Sequence, residues 1–241
     1  TPPTFSGTYT QNFTGFTNMA TLPTGWTALS SAGVNGYVGE FTSGSSTGGF
    51  YGTTNTPGVL GYLHTSSTGT VTNKLTLVNG TGGELTSLYV SYKGRVEATN
   101  NARIPVMTVK LNGATVAELE YSTASGLDEL KSTQVTGLSI ANGAQFTVTW
   151  ESDRGQSSGN SRRIGLTDVR VSTSAPNFAP TDIAISATSI AENNAVDANV
   201  GTLSRFQRYP HLLSGGGDGG HGQRILQHQR KLAPGWGGFR F

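Results

Sequence analysis

Phe146-Thr147-Val148-Thr149-Trp150 alternates one large apolar side chain with one threonine. Successive side chains of a β-strand point to opposite faces, so this stretch predicts three bulky groups turned into a core and two threonines turned to water. The same period recurs upstream. Leu88-Tyr89-Val90-Ser91-Tyr92 places Leu88, Val90 and Tyr92 on one face, and Met107-Thr108-Val109-Lys110-Leu111 repeats the pattern. Asn112-Gly113 then marks a tight turn into residues 115–121, which predicts a hairpin. In Ile164-Gly165-Leu166-Thr167-Asp168-Val169-Arg170-Val171 the apolar phase slips between Leu166 and Val169, which predicts a β-bulge near Thr167-Asp168.

Composition extends this reading to the whole chain. The 241 residues include 34 glycines and no cysteine, and only 12% are charged. Abundant Gly, Ser, Thr and β-branched residues favour short strands with tight turns. Many alternating strands without helical segments imply an all-β, two-sheet antiparallel sandwich. Burial of its inward faces, at about 25 cal/mol per Å² of apolar area, is expected to hold it without staples. Absence of cysteine excludes a catalytic thiol, a disulfide or a cysteine-ligated metal, and is consistent with bacterial export. The chain starts at Thr1 with no apolar leader, so an export signal is expected to have been removed or to lie outside this sequence. No apolar run approaches membrane-spanning length.

Charge divides the chain. Residues 1–203 hold 10 Lys+Arg and 13 Asp+Glu, whereas residues 204–241 hold 6 and 1. The overall +2 therefore comes from the tail. Around that break, Ala179-Pro180-Thr181-Asp182-Ile183, Ile190-Ala191-Glu192-Asn193 and Val200-Gly201-Thr202-Leu203 follow one another. Their order and spacing resemble the opening of a bacterial cadherin-like repeat, in which the position of Glu192 binds calcium. The repeat breaks off after Leu203. Codons permitted for residues 205–217, read one nucleotide late, include Asp-Ser-Asn-Asp-Thr-Leu-Thr-Tyr-Ser-Val-Val-Ala-Gly, similar to the expected continuation. The tail is accordingly expected to be out of frame, or else a disordered Gly/Arg segment unable to bury a core. On neither reading is it a nucleic-acid signal. The expected organisation is a sandwich at 1–173, a linker at 174–180, a truncated repeat at 181–203 and the tail at 204–241.

The ends of the first domain carry a second resemblance. Tyr9-Thr10-Gln11-Asn12-Phe13-Thr14-Gly15-Phe16 with Leu22-Pro23-Thr24-Gly25-Trp26 looks like the opening of concanavalin-like or cleaved-adhesin-like jelly rolls of secreted bacterial proteins. Residues 138–146, the Trp150 strand and residues 164–171 look like its close. The resemblance implies a jelly-roll sandwich. It also implies a structural calcium tying the first and last strands, with Asn12 and Asp168 as matching ligands, although Thr167 replaces the first acid of the family's closing motif. Asp153, in a turn-like loop, is a further calcium candidate.

Catalytic signals are sparse. On a strand, Glu118 and Glu120 would share a face with Cα atoms roughly 6.5–7 Å apart, a spacing able to flank a glycosidic bond. His64 is the one histidine before the tail, and no serine sits in a nucleophile-elbow motif. Binding suits the residues better, because sugars are held by aromatic faces and hydroxyl-directed polar groups in a preformed groove. Trp26, Tyr37 and Tyr51 punctuate a weakly charged Gly/Ser/Thr region, and Tyr92, Lys93, Arg95 and Glu97, with Arg103 nearby, form a strip able to face an acidic glycan. The expected function is noncatalytic: a carbohydrate-binding or adhesion module of a larger secreted protein, its partner a polysaccharide or cell-surface glycan. A hydrolase using Glu118 and Glu120, or a structural spacer, is the alternative.

Overall fold

Every apolar side chain singled out by alternation lies between two sheets. The computed structural model describes residues 1–156 and 158–176, together with the backbone of Asp182–Ile185 and Leu203–Phe206. In chain order the first unit, Thr1–Pro176, forms β1 (Thr4–Phe5), β2 (Thr8–Gln11), β3 (Trp26–Ser30), β4 (Tyr37–Glu40), β5 (Gly49–Gly52), β6 (Leu60–Leu63) and β7 (Val71–Asn79). It continues with β8 (Leu85–Glu97), β9 (Val106–Leu111), β10 (Ala114–Thr115), β11 (Tyr121–Ser122), β12 (Glu129–Ile140), β13 (Gln145–Ser152) and β14 (Arg163–Ser172).

Two seven-stranded sheets result. Sheet I runs β1-β7-β13-β9-β10, with β3 also on β7 and β11 also on β9. Sheet II runs β12-β8-β14-β6-β5-β4, with β2 also on β14. Pairing is antiparallel except for β1 with β7 and β4 with β5. The unit is an all-β jelly-roll sandwich, as the sequence predicts. Phe146, Val148 and Trp150 from sheet I and Leu88, Val90 and Tyr92 from sheet II are each at most 1% exposed. The sheets meet at Trp150, which stacks on Trp26 at 5.2 Å and receives the Tyr92 ring edge-on at 5.9 Å. Such pairs add to what area burial alone contributes.

The predicted bulge is present. Register between β8 and β14 shifts between Thr167 and Arg170, and Asp168 takes a left-handed φ of 49°. The extra residue lets Leu166 and Val169 both face the core. Asn112 and Gly113 also adopt positive φ, of 47° and 83°, as a tight hairpin turn demands.

Residues 115–121 depart from expectation. The strand stops after two residues, and Ala117–Leu119 forms a 3-10 helix. The cause is spacing: Val116 and Leu119 are both buried, and positions three apart share a side of a 3-10 turn, not of a strand. The Tyr92 hydroxyl donates to the Leu119 carbonyl at 2.6 Å and fixes the turn. Glu118 and Glu120 thus leave the strand on which their paired-carboxylate geometry depended.

One connection shapes the surface of sheet II. Strand β5 lies parallel to β4, so a tight hairpin cannot join them and the chain must travel back along the sheet. Residues 41–48 do this on the outer side of β5 and β6. Phe41 there packs with Tyr51, Val59 and Leu63 in a small second core. Its ring lies on Gly61, where a Cβ would strike it.

In the second unit, Asn177–Phe241, β15 (Asp182–Ile185) and β16 (Leu203–Phe206) pair antiparallel, Asp182 opposite Phe206. Strand β16 crosses the compositional junction at Leu203-Ser204. The remainder of the expected repeat, Glu192 included, and the tail from 207 onward lie outside the described residues.

Candidate functional site

Alternation along β8 sorts its side chains into core and surface. Leu88, Val90, Tyr92 and Val96 point inward, so Tyr89, Ser91, Lys93, Arg95 and Glu97 form the outer row. Strand β8 is central, and its neighbours extend each position sideways. Tyr89 lies between Gln134 and Ser172, Ser91 between Ser132 and Arg170, Lys93 between Leu130 and Thr167, and Arg95 beside Gly165. Directly opposed residues share a face. The outer surface of β12-β8-β14 therefore presents one half-buried tyrosine, three cations, a glutamine and Leu130, which is 46% exposed, while Ser91, Ser132, Thr167 and Ser172 are buried beneath them. The connection at 41–48 stands beside it on β5 and β6.

The cations of this face differ in their partners. Arg95 Nε lies 2.6 Å from Asp128 Oδ2, and Asp128 is itself held by the Val96 amide at 3.1 Å. Arg170 makes one long hydrogen bond, Nη2 to Ser172 Oγ at 3.4 Å, and its Nε is buried without an acceptor. Among the described residues no carboxylate lies within 4 Å of the charged nitrogens of Lys93 or Arg170. Tyr89 takes part in none of the ring pairs that fill the core.

Three aromatic residues expected to meet ligand are core residues instead. Trp26 is 6% exposed, and Tyr51 and Tyr92 are 0% exposed. Trp26 Nε1 donates to the Tyr9 hydroxyl at 2.8 Å. Tyr51 lies under the guanidinium of buried Arg163. Burial raises the Tyr92 pKa well above its ordinary value, with smaller contributions from Tyr121, Glu120 and Glu129. Tyr37 is half-buried on edge strand β4, edge-on to Phe16 at 5.6 Å, and its pKa is raised by burial and by Glu40. Lys93 and Arg95 do share the outer face. Arg103 does not join them: it donates to the Gly159 and Gly155 carbonyls, each at 3.0 Å. Tyr89, Gln134 and Arg170 complete the face and were missed. For Tyr89 the signal was present, since the parity that turns Tyr92 inward turns Tyr89 outward.

Glu118 and Glu120 are exposed on either side of Leu119. His64 Nε2 and Ser152 Oγ lie 3.0 Å apart, but both residues are buried. Burial lowers the His64 pKa to about 4, outweighing the attraction of Asp153. Near the end of β13 an open depression of about 380 Å³ is lined by Ser31, Thr65, Ser66, Gly69, Thr70, Asp153, Arg154 and Gly155. Asp153 Oδ1 there accepts from the Gly155 amide at 2.8 Å, closing a turn.

Pairing of β2 with β14 brings Asn12 beside the bulge, where the Thr167 hydroxyl donates to the Asn12 carbonyl at 3.2 Å. Calcium takes about six to eight oxygen ligands. This junction supplies one carboxylate, Asp168, while Asn12 Oδ1 already accepts from the Thr14 amide at 3.1 Å. The donors fit calcium poorly. Among the described residues no three His, Asp or Glu side chains converge as a metal site, and no helix is long and apolar enough to cross a membrane.

No family model matches the chain, and no curated protein sequence does. Among solved structures it is similar to the enzymatically active domain of bacteriophage CBA120 tailspike protein 4, with 9% identity and a TM-score of 0.38 over 67% of this chain and 21% of that one. It is similar to the CBM22-1 xylan-binding domain of Paenibacillus barcinonensis Xyn10C, with 13% identity and a TM-score of 0.36 over 68% and 92% of the respective chains. It is also similar to the arabinose-bound MgGH51 α-L-arabinofuranosidase, with 14% identity and a TM-score of 0.39 over 69% and 26%. The chain thus spans about a fifth of the tailspike domain and a quarter of the arabinofuranosidase. These are likenesses of shape, and no residue role is carried over from them.

Proposed function

We propose that the sandwich binds polysaccharide or cell-surface glycan, without cleaving it, on the outer face of β12-β8-β14. It does so as an accessory or adhesion module of a larger secreted bacterial protein. The observation that supports this is the grouping of Tyr89, Gln134, Lys93, Arg95 and Arg170 on adjacent rows of one sheet face. A sugar ring laid on Tyr89 exchanges apolar ring surface for water, and the surrounding donors reach its hydroxyls. The strands hold these groups in register before any ligand arrives, which lowers the ordering cost of binding.

The test is retention of the full chain on immobilised polysaccharides with a parallel assay for released reducing sugar. Retention without release is expected. Release that survives purification and disappears in Glu118→Gln and Glu120→Gln would replace binding by hydrolysis.

A further inference from the structure

The first unit holds ten Lys or Arg and ten Asp or Glu, so a charged patch on it must come from placement and not from excess. Most of its cations are engaged. Lys110 meets Glu151 at 2.5 Å, Lys131 meets Glu129 at 3.2 Å and Arg95 meets Asp128 at 2.6 Å. Arg103, Arg154, Arg162 and Arg163 donate to backbone carbonyls. Lys74, Lys93 and Arg170 have no such partner; Lys74 lies on the outer face of sheet I, whereas Lys93 and Arg170 occupy neighbouring rows of the glycan face, on adjacent strands.

Arg170 is the more telling of the two. Its one hydrogen bond goes to the Ser172 hydroxyl, at 3.4 Å, and not to a carboxylate or a backbone carbonyl. The half-buried guanidinium has no carboxylate partner, which leaves its Nη donors for a charged acceptor. Carboxylates also approach the face: Asp128 is held by Arg95, Glu97 ends the β8 row, and Asp168 stands exposed on the bulge between the rows of Lys93 and Arg170. From Tyr89 to Lys93 the face holds two cations, Lys93 and Arg170, and one carboxylate, Asp168, which forms an ion pair with neither.

We propose that the glycan of this face is anionic, its carboxylate or sulfate groups held by Arg170 and Lys93 while Tyr89 supports a sugar ring; this rests on the face being the glycan site. Binding is correspondingly weakened by salt, because partly exposed charges are screened.

The experiment titrates the full chain with polygalacturonate, with fully methyl-esterified polygalacturonate, with dextran sulfate, with dextran and with single-stranded oligothymidylate. The acid form is expected to bind at least tenfold more tightly than its ester, and dextran sulfate more tightly than dextran. The stronger of the two anions identifies the charged group. Lys93→Gln and Arg170→Gln each reduce affinity for the acid form about tenfold and for the ester by no more than about threefold, leaving the melting temperature unchanged. Equal affinity for acid and ester, or variants that weaken both alike, would overturn the anionic class and leave the site. Tighter binding of oligothymidylate than of every glycan would overturn it in favour of a nucleic acid. Absence of binding to all five would remove the site together with its ligand class.

Discussion

The Arg163 guanidinium carbon lies 4.6 Å from the centre of the Tyr51 ring. Arg163 is buried, with no carboxylate partner among the described residues, and it donates to the carbonyls of Phe41 at 2.7 Å and of Ser45. A single side chain thus joins β14 to the connection that β4 and β5 require, and it explains why Tyr51 is unavailable to a ligand.

Arg163→Met is expected to lower unfolding stability by roughly 2 kcal/mol or more, since a stacked cation and two charge-assisted hydrogen bonds are lost. Arg163→Lys keeps the charge without the planar fork and should recover less than half of that loss. Urea unfolding measures both, and limited proteolysis should show earlier cleavage within residues 41–48. A lysine variant as stable as the parent would contradict the forked arrangement.

Gly94 pairs with Leu166 on the core side of sheet II, and the face of the Tyr121 ring rests on it. Gly94→Ala places a methyl group inside that ring, so Tyr121 must move although it is fully buried and its hydroxyl donates to the Leu127 carbonyl at 2.9 Å. Overpacking of this kind costs about 1–3 kcal/mol. Thermal melting checks it, and an unchanged Tm would show that Tyr121 is not confined.

His64 gives a pH dependence whose sign follows from burial. Its pKa is lowered from 6.5 to about 4 in the folded protein. Between those values the unfolded chain binds the proton and the folded protein does not. The contribution of His64 is therefore complete above about pH 6.5 and is lost as pH falls toward 4, by about 3 kcal/mol in all. His64→Gln should flatten that part of the stability curve, read as the difference between parent and variant in urea titrations across the range. Parallel curves would show that His64 protonates normally.

Asp168 occupies left-handed backbone at the bulge, a conformation glycine adopts freely. Asp168→Gly should therefore keep stability within about 1 kcal/mol of the parent, in calcium or in chelator alike. A loss of Tm seen only in calcium would reassign Asp168 as a metal ligand tying β2 to β14.

Strand parity made much of the fold legible. Phe146-Thr147-Val148-Thr149-Trp150 gave the core side of β13, and the phase slip at Thr167-Asp168 located the bulge, because both are local consequences of a two-residue period. Residues 115–121 misled, because a 3-10 turn at Ala117–Leu119 buries Val116 and Leu119 by a three-residue period that seven residues cannot distinguish from an imperfect strand. The site was legible in half. Lys93 and Arg95 follow from β8 alone, whereas Arg170 and Gln134 join them only through register with β14 and β12, separated from them by tens of residues. Trp26, Tyr51 and Tyr92 were candidates on residue type, and residue type does not distinguish a ring that binds sugar from one that fills a core.

The most direct measurement compares the two outer faces of the sandwich in one binding assay. Tyr89→Ala alters the outer face of sheet II, the face proposed to bind glycan; Thr149→Ala, between Lys74 and Lys110 on the outer face of sheet I, alters the other. By affinity electrophoresis in polysaccharide gels, the Tyr89 variant is predicted to lose at least tenfold in affinity while folding normally, and the Thr149 variant to bind as the parent does. Glycan binding that survives Tyr89→Ala and is lost with Thr149→Ala would contradict the assignment.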